Sequence, residues 1–266
     1  MEIKLLGPIE ISVNEVSIVP SASKPRQVLA LLAIRRSQIV QTSSLVDELW
    51  DERPPRSAST TLQTYILQLR NGLAKTGNAR CSPKDLLATC YGGYRLLTEE
   101  ANSDLQKFEI LASAGTDAKD AGDYKTASER YAQALALWRG PTLVDVKCGR
   151  LLSVEAVGID EKRRHVLGQR IDMDLHLGRH SALLAELCML AAECPMDEDL
   201  CARLMLAFYR SGNAWRAMEA YHRTRRALVD GLGVEPSIPL RRLHQAILSN
   251  DPGLNGPQDD LTWLVG

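Results

Sequence analysis

Apolar residues alternate with polar ones through the first twenty positions. Ile3, Leu5, Ile9, Ile11, Val13, Val16 and Ile18 hold the pattern, broken at Gly7-Pro8 and Asn14-Glu15. A period of two predicts short strands joined by turns. At Ser23 the period lengthens. Val28, Leu29, Leu31 and Leu32 form a wide apolar face, Ser23 can cap its start with Pro25 in the first turn, and a helix is predicted as far as Arg35. Thr42-Ser43-Ser44 offers a second cap, with Asp47 and Glu48 suited to the early turns of a short helix closing at Trp50. Asp51-Glu52-Arg53-Pro54-Pro55 cannot continue that helix and reads as a stiff connector.

A third helix is predicted over about residues 56–75. Leu62, Ile66, Leu69 and Leu73 recur at helical spacing and should face a core, which turns Thr60, Gln63, Thr64, Leu67, Gln68 and Asn71 largely outward. That outer face is free of acids and rich in side chains that both donate and accept hydrogen bonds. A purely structural surface helix usually carries Glu–Lys pairs four residues apart; this one has none. Residues 86–89 and 94–97 then flank Tyr91-Gly92-Gly93 and read as a β-hairpin. A small sheet, three helices and a hairpin follow the order of a winged helix-turn-helix.

From about residue 104 the pattern is helical throughout. Gly122, Gly178 and Gly212 each separate helical segments, and the last two stand 34 residues apart, the tetratricopeptide period. Ala127 and Ala217 follow their glycines by five positions, and Tyr131 and Tyr221 by nine, so a small residue lets two helices close while an aromatic fills the gap above. The Gly178 segment has Leu183 and Leu187 instead, which makes the repeat degenerate. Stacked repeats of this kind build one continuous core, and their grooves often bind partners. After Asn250 the composition turns to Pro, Gly and Asp, and a frayed tail is expected. The chain thus divides into a winged-helix domain at 1–98, an all-α tetratricopeptide-like domain at 99–250 and a flexible tail at 251–266, a mainly α fold with a small β component.

The net charge of −1 changes the picture only when it is divided. Residues 1–100 carry 12 Lys and Arg against 10 Asp and Glu, whereas residues 101–266 carry 20 against 23. From Arg53 to Lys84 there are six basic residues (Arg53, Arg56, Arg70, Lys75, Arg80, Lys84) and no acid, a bias that can lie against phosphate without repulsion. The N-terminus runs straight into a strand pattern, not a signal-peptide core, and no apolar run approaches a membrane span. The six cysteines lack CxxC or zinc-ribbon spacing and are expected to be reduced, mostly small buried hydrophobes, in a cytoplasmic protein. Enzymatic signatures are missing: there is no GxxxxGK[ST], HExxH or GxSxG segment, and no cofactor is implied. His176 and His180 have helical metal spacing, but Gly178 between them marks a turn, so no metal site is expected.

The ordered set of segments resembles the Streptomyces antibiotic regulatory proteins, activators of antibiotic biosynthesis clusters. In the first half the matching stretches are Lys24-Pro-Arg-Gln-Val-Leu-Ala-Leu-Leu-Ala33, Leu45-Val-Asp-Glu-Leu-Trp50, Pro54-Pro-Arg-Ser-Ala58, the run from Thr60 to Arg70, and Tyr91-Gly-Gly-Tyr94. In the second half they are Ala134-Leu-Ala-Leu-Trp-Arg-Gly-Pro141, Leu175-His-Leu-Gly-Arg-His180 and Leu232-Gly-Val-Glu-Pro236. The resemblance covers about residues 1–250 and fits the small members without an added ATPase or sensor domain. It implies an OmpR-type winged helix joined to a bacterial transcriptional activation domain. It also implies binding to direct repeats near a promoter's −35 element, two protomers side by side, with recruitment of RNA polymerase holoenzyme. Two positions depart from the pattern: Cys90 stands where a wing arginine is common, and Gly231 replaces the usual acid before Leu232.

Recognition of a duplex needs base-reading side chains in the major groove and cations on the phosphates. Gln63 and Gln68 suit adenine edges, and Thr60, Thr61 and Thr64 suit a thymine methyl or a base edge. Lys24 and Arg26 at the start of the first helix, Arg56 at the start of the third, Arg70 near its end and Arg95 in the wing are the phosphate candidates. Arg70 can also reach guanine, and Tyr65 is as suited to packing as to DNA. In OmpR-type activators the loop before the recognition helix faces RNA polymerase, so the resemblance makes Asp51, Glu52 and Arg53 candidate polymerase contacts; as plain chemistry they are a charged turn. Two other classes remain open: a helical-repeat scaffold whose first domain docks protein, and a repressor or sensor with a ligand in the helical domain.

Overall fold

The computed structural model describes residues 1–35, 37–77, 82–97 and 103–255. Arg80, Cys81 and the segment 256–266 of the expected tail lie outside them. Two compact units emerge: Met1–Ser113 with Gln133–Val166, and Ala114–Ala132 with Leu167–Gly266.

The first unit opens with the expected small sheet. Strands β1 (Glu2–Lys4), β2 (Glu10–Val13) and β3 (Val16–Ser17) are antiparallel in that order, with Ile3 opposite Ile11 and Val13 opposite Val16. Three helices follow: α1 (Ser23–Ile34), α2 (Thr42–Trp50) and α3 (Ala58–Ala74). The two-residue strand β4 (Val40–Gln41) enters α2, and a short turn of helix, α4 (Pro83–Leu86), leads into the hairpin β5 (Leu87–Cys90) and β6 (Gly93–Leu96). A second sheet forms in the order β4-β6-β5, so the hairpin is tied to the start of α2. Leu5, Ile11, Val28, Leu32, Leu62 and Ile66, apolar positions read from the sequence, are buried together with Leu6, Leu45 and Leu96, whereas Val16 of the alternating set is exposed on the short strand β3.

Neither hydroxyl cap forms as expected. Ser23 and Thr42 are already helical, and the extended Ala22 and Gln41 precede them without a side-chain bond. The Thr42 amide instead donates to the carbonyl of Gly92 in the hairpin, 2.9 Å away, so the wing itself supplies the partner. Serine capping does operate at α4, where Ser82 and Asp85 satisfy each other's backbone N–H.

Helices α5 (Asp104–Asp120), α6 (Tyr124–Leu135), α7 (Arg150–His176), α8 (His180–Glu193), α9 (Glu198–Arg210), α10 (Ala214–Leu232) and α11 (Ile238–Leu248) make up the rest. Gly122, Gly178 and Gly212 take φ of +78°, +74° and +77° at the ends of α5, α7 and α9. In each turn the following N–H reaches back five residues: Asp123 to Ala118, Arg179 to Asp174, Asn213 to Phe208, all at 2.9 Å. Ala127, Ala217, Tyr131 and Tyr221 are buried as expected, and so are Leu183 and Leu187, so the divergent repeat keeps the same packing positions. The second unit's core joins Ile171, Leu187, Met205, Phe208 and Leu243. The chain beyond Asn250 stays attached at first: residues Pro252–Asn255 form a 3-10 turn that buries Leu254, whose carbonyl accepts from Arg210 Nε at 2.8 Å. Of the five described cysteines only Cys201 is buried, its thiol pushed up to about 11 by loss of solvent; Cys194 is exposed and the others half-buried. His176 packs against Tyr124 with their rings tilted by 36°, and among the described residues no group of three metal-binding side chains gathers. Among the described residues no helix is long and apolar enough to cross a membrane.

Candidate nucleic-acid interface

Helix α3 begins after Pro54-Pro55, where the Ala58 amide closes a turn onto the Pro55 carbonyl at 2.9 Å. Leu62, Ile66, Leu69 and Leu73 are sealed in the core. The opposite face carries Thr60, Gln63, Thr64, Leu67, Gln68 and Asn71, all exposed, with Thr61 at its half-buried margin and Tyr65 also half-buried. Thr64 Oγ1 donates to the Thr60 carbonyl at 3.1 Å, which leaves the hydroxyl as an acceptor towards any ligand. The five base-reading candidates therefore lie on one helix, with four of them exposed to solvent.

The phosphate candidates separate into two groups. Lys24 sits in the first turn of α1 with its ammonium 4.5 Å above the Trp50 ring, a cation–π contact that orients it while leaving charge available. Arg56 is exposed in the turn before α3, two residues short of the helix expected to begin with it. Arg95 projects from β6, and its buried Nε has no hydrogen-bond partner among the described residues. Arg26 and Arg70 are engaged inside the first unit. Arg26 donates from Nε to the Pro20 carbonyl and from Nη1 to the carbonyl and carboxylate of Asp145, at 3.0–3.2 Å. Arg70 donates through Nε and Nη2 to the Leu87 carbonyl, at 3.0 and 2.7 Å, and through Nη2 to Thr89 Oγ1. Its physical task in the free protein is to clamp strand β5 to the end of α3.

That clamp brings the hairpin beside the exposed helix. Arg70, Lys84, Asp85, Thr89 and Arg95 surround an open hollow of about 540 Å³ between α3, α4 and the hairpin. Asp85, the one acid among the described residues that line it, already accepts from the Ser82 amide. Lys84 thus joins the cationic set; its signal in the sequence was membership of the acid-free run. At the hairpin's tip Tyr91 is fully exposed and Gly92 takes φ +76°. Gly93 is required for a different reason: a Cβ there would lie 2.2 Å from the Val40 carbonyl oxygen, so β4 and β6 can meet only at a residue without a side chain. Cys90 precedes the tip and is half-buried. At the C-terminal end of α2, in the connector to α3, Asp51, Glu52 and Arg53 are all exposed, with Asp51 at φ +53°.

Sequence reasoning missed three carboxylates. Glu48, assigned to the dipole of its own helix, is 3% exposed and serves a different one. Its Oε1 accepts from Gly149 N at 2.6 Å and from Gln27 Nε2 at 2.8 Å; its Oε2 accepts from Leu151 N and Leu152 N at 2.8 and 3.1 Å. A carboxylate thus caps the N-terminus of α7 from helix α2. Burial, with the Glu48 charge nearby, pushes the Cys148 thiol up. Asp104 accepts from the amides of Leu5 and Leu6, and Asp145 from that of Ile9. No local pattern betrays such pairings, because their partners lie about a hundred residues away in the chain.

Comparison with known proteins gives the following likenesses. The family "Transcriptional regulatory protein, C terminal" matches residues 17–96, and "Bacterial transcriptional activator domain" matches residues 103–248. The chain is 48% identical to the regulatory protein DnrI of Streptomyces peucetius over 97% of this chain and 96% of that one. It is 35% identical to the transcriptional regulator RedD of Streptomyces coelicolor, over 97% of this chain and 73% of the other. Among solved structures, Mycobacterium tuberculosis EmbR in complex with a low-affinity phosphopeptide matches with a TM-score of 0.89 at 33% identity, covering all of this chain and 69% of that one.

Proposed function

The chain belongs to the Streptomyces antibiotic regulatory proteins, a family of transcriptional regulators, and on that premise we propose that it is a sequence-specific DNA-binding activator of an antibiotic or secondary-metabolite gene cluster. The observation that carries this reading is the outer face of α3, an acid-free stripe of hydroxyl and amide side chains on a helix whose other face is locked in a core. Thr60, Thr61, Gln63, Thr64 and Gln68 read base edges in the major groove. Lys24, Arg56, Lys84 and Arg95 hold the flanking phosphates, with Arg26 and Arg70 contributing to the field while they brace Asp145 and β5. Two protomers sit side by side on direct repeats near a −35 element, in the cytoplasm on nucleoid DNA. Residues 1–98 form the DNA-binding part and 99–250 the activation part. The exposed Asp51, Glu52 and Arg53 face RNA polymerase holoenzyme.

Fluorescence anisotropy with promoter duplexes tests the proposal. Each phosphate contact contributes about 0.9 to the slope of log affinity against log salt, so four contacts per protomer give a slope near −3.6 for each bound copy. Replacing Gln68 by Ala should weaken the preferred sequence by about 1–3 kcal/mol and relax one base position. A double substitution of Asp51 and Glu52 by Ala should keep DNA affinity and lower transcription in a reconstituted system. No binding at low salt would overturn the DNA reading.

A further inference from the structure

The exposed stripe on α3 is not wholly polar. Thr60, Gln63, Thr64, Leu67, Gln68 and Asn71 stand at intervals of three and four residues, which places Leu67 between Gln63 and Gln68 and one turn from Asn71. Leu67 is 58% exposed, whereas its neighbours Ile66 and Leu69 are buried. Packing inside the free chain therefore does not account for a leucine here. Helix propensity does not require it either, since Leu and Gln differ little in that respect.

A side chain at that position has no donor or acceptor, so it can add to recognition only by covering an apolar group. In the major groove the donors and acceptors of each base pair are polar, and the C5 methyl of thymine is the apolar exception. We propose that Leu67 is a specificity-determining residue that packs on a thymine methyl at the centre of each half-site, while the flanking amides Gln63 and Gln68 pair with base edges on either side. The inference rests on the DNA-binding reading above and adds a chemical requirement to it. The recognised sequence carries thymine, and the protein reads its methyl, not only its hydrogen-bonding edge. An exposed apolar side chain becomes buried on binding, at the point where water leaves the interface.

Uracil provides the test, because deoxyuridine keeps every hydrogen-bonding group of thymidine and lacks only the methyl. The full chain is used to select a preferred duplex from a randomised pool. Each thymine of that duplex is then replaced singly by deoxyuridine and its affinity measured by anisotropy. Burial of one methyl predicts about a fourfold loss at one thymine per half-site. The Leu67→Ala variant, whose melting temperature should match the parent, should bind the thymine and uracil duplexes equally at that position and still respond normally to changes at the flanking bases. The coupling between the two substitutions is the readout, and a merely structural effect of Leu67→Ala would weaken both duplexes alike. A flat uracil scan with intact sequence preference would overturn the methyl contact and leave the DNA reading standing. A uracil penalty of the same size in Leu67→Ala would assign the methyl to another side chain and overturn the inference too. Failure to select any preferred duplex would overturn the DNA reading itself.

Discussion

Replacing Glu48 by Ala removes a carboxylate that serves four donors at once. The amides of Gly149, Leu151 and Leu152 lose their partner, at distances now of 2.6, 2.8 and 3.1 Å, while Gln27 Nε2 loses one of two acceptors and keeps the Glu48 carbonyl at 2.8 Å. The site is 3% exposed, so solvent screens little of the loss. Each buried donor left unsatisfied costs about 1–3 kcal/mol, and partial relaxation keeps the total below the sum, at about 3–5 kcal/mol. A chain of this size shifts by about 2–4 °C per kcal/mol, so thermal unfolding followed by circular dichroism should begin about 10 °C earlier. Glu48→Gln keeps the shape but turns an amide donor towards backbone donors, and should lose about half as much. The same variants should weaken DNA binding in proportion to their instability, because α2 and α3 share a core. A melting temperature unchanged in Glu48→Ala would show that the α7 cap contributes nothing to the first unit.

Further expectations follow from the same geometry. Arg70→Ala should free β5 from α3 and increase hydrogen exchange in the hairpin, whereas Arg70→Lys, without the forked donors, should restore little of the protection. Gly93→Ala puts a Cβ at 2.2 Å from the Val40 carbonyl and should destabilise the wing by about 1–3 kcal/mol, read as an earlier melt and weaker DNA binding. Burial against Tyr221, then the charge of His222, holds His244 below its ordinary value of 6.5. The unfolded chain therefore takes up a proton first, so the stabilising effect is complete well above pH 6.5 and is lost as pH falls through that value. Melting of the parent should drop more between about pH 7.5 and 5.5 than that of His244→Asn, and equal drops would remove His244 from the account of acid sensitivity.

The elements legible in the sequence were those whose determinants are local. The period of two before Ser23, the stripe Leu62, Ile66, Leu69 and Leu73, and the glycines at 122, 178 and 212 each fix backbone geometry within a few residues. The outward face of α3 followed from the same stripe. What stayed hidden depends on pairings across the chain. Arg26 and Arg70 read as free cations because Asp145 and the Leu87 carbonyl, their partners, are set by tertiary packing. Glu48 read as a dipole partner of its own helix for the same reason. These contacts also bear on truncation: a fragment ending at residue 98 would leave Glu48 without α7 and Leu5 without Asp104. Such a fragment should bind DNA more weakly than the full chain even if every base-reading residue is present.

The most direct measurement compares the parent with a variant in which Thr60, Gln63, Thr64 and Gln68 are all alanine. These side chains are exposed, so the melting temperature should stay within a few degrees. Against a randomised duplex pool, the parent should enrich one repeated motif, and the variant should enrich none while keeping weak, salt-sensitive binding through its unchanged cations. A folded variant that selects the same motif as the parent would contradict a base-reading role for this face of α3.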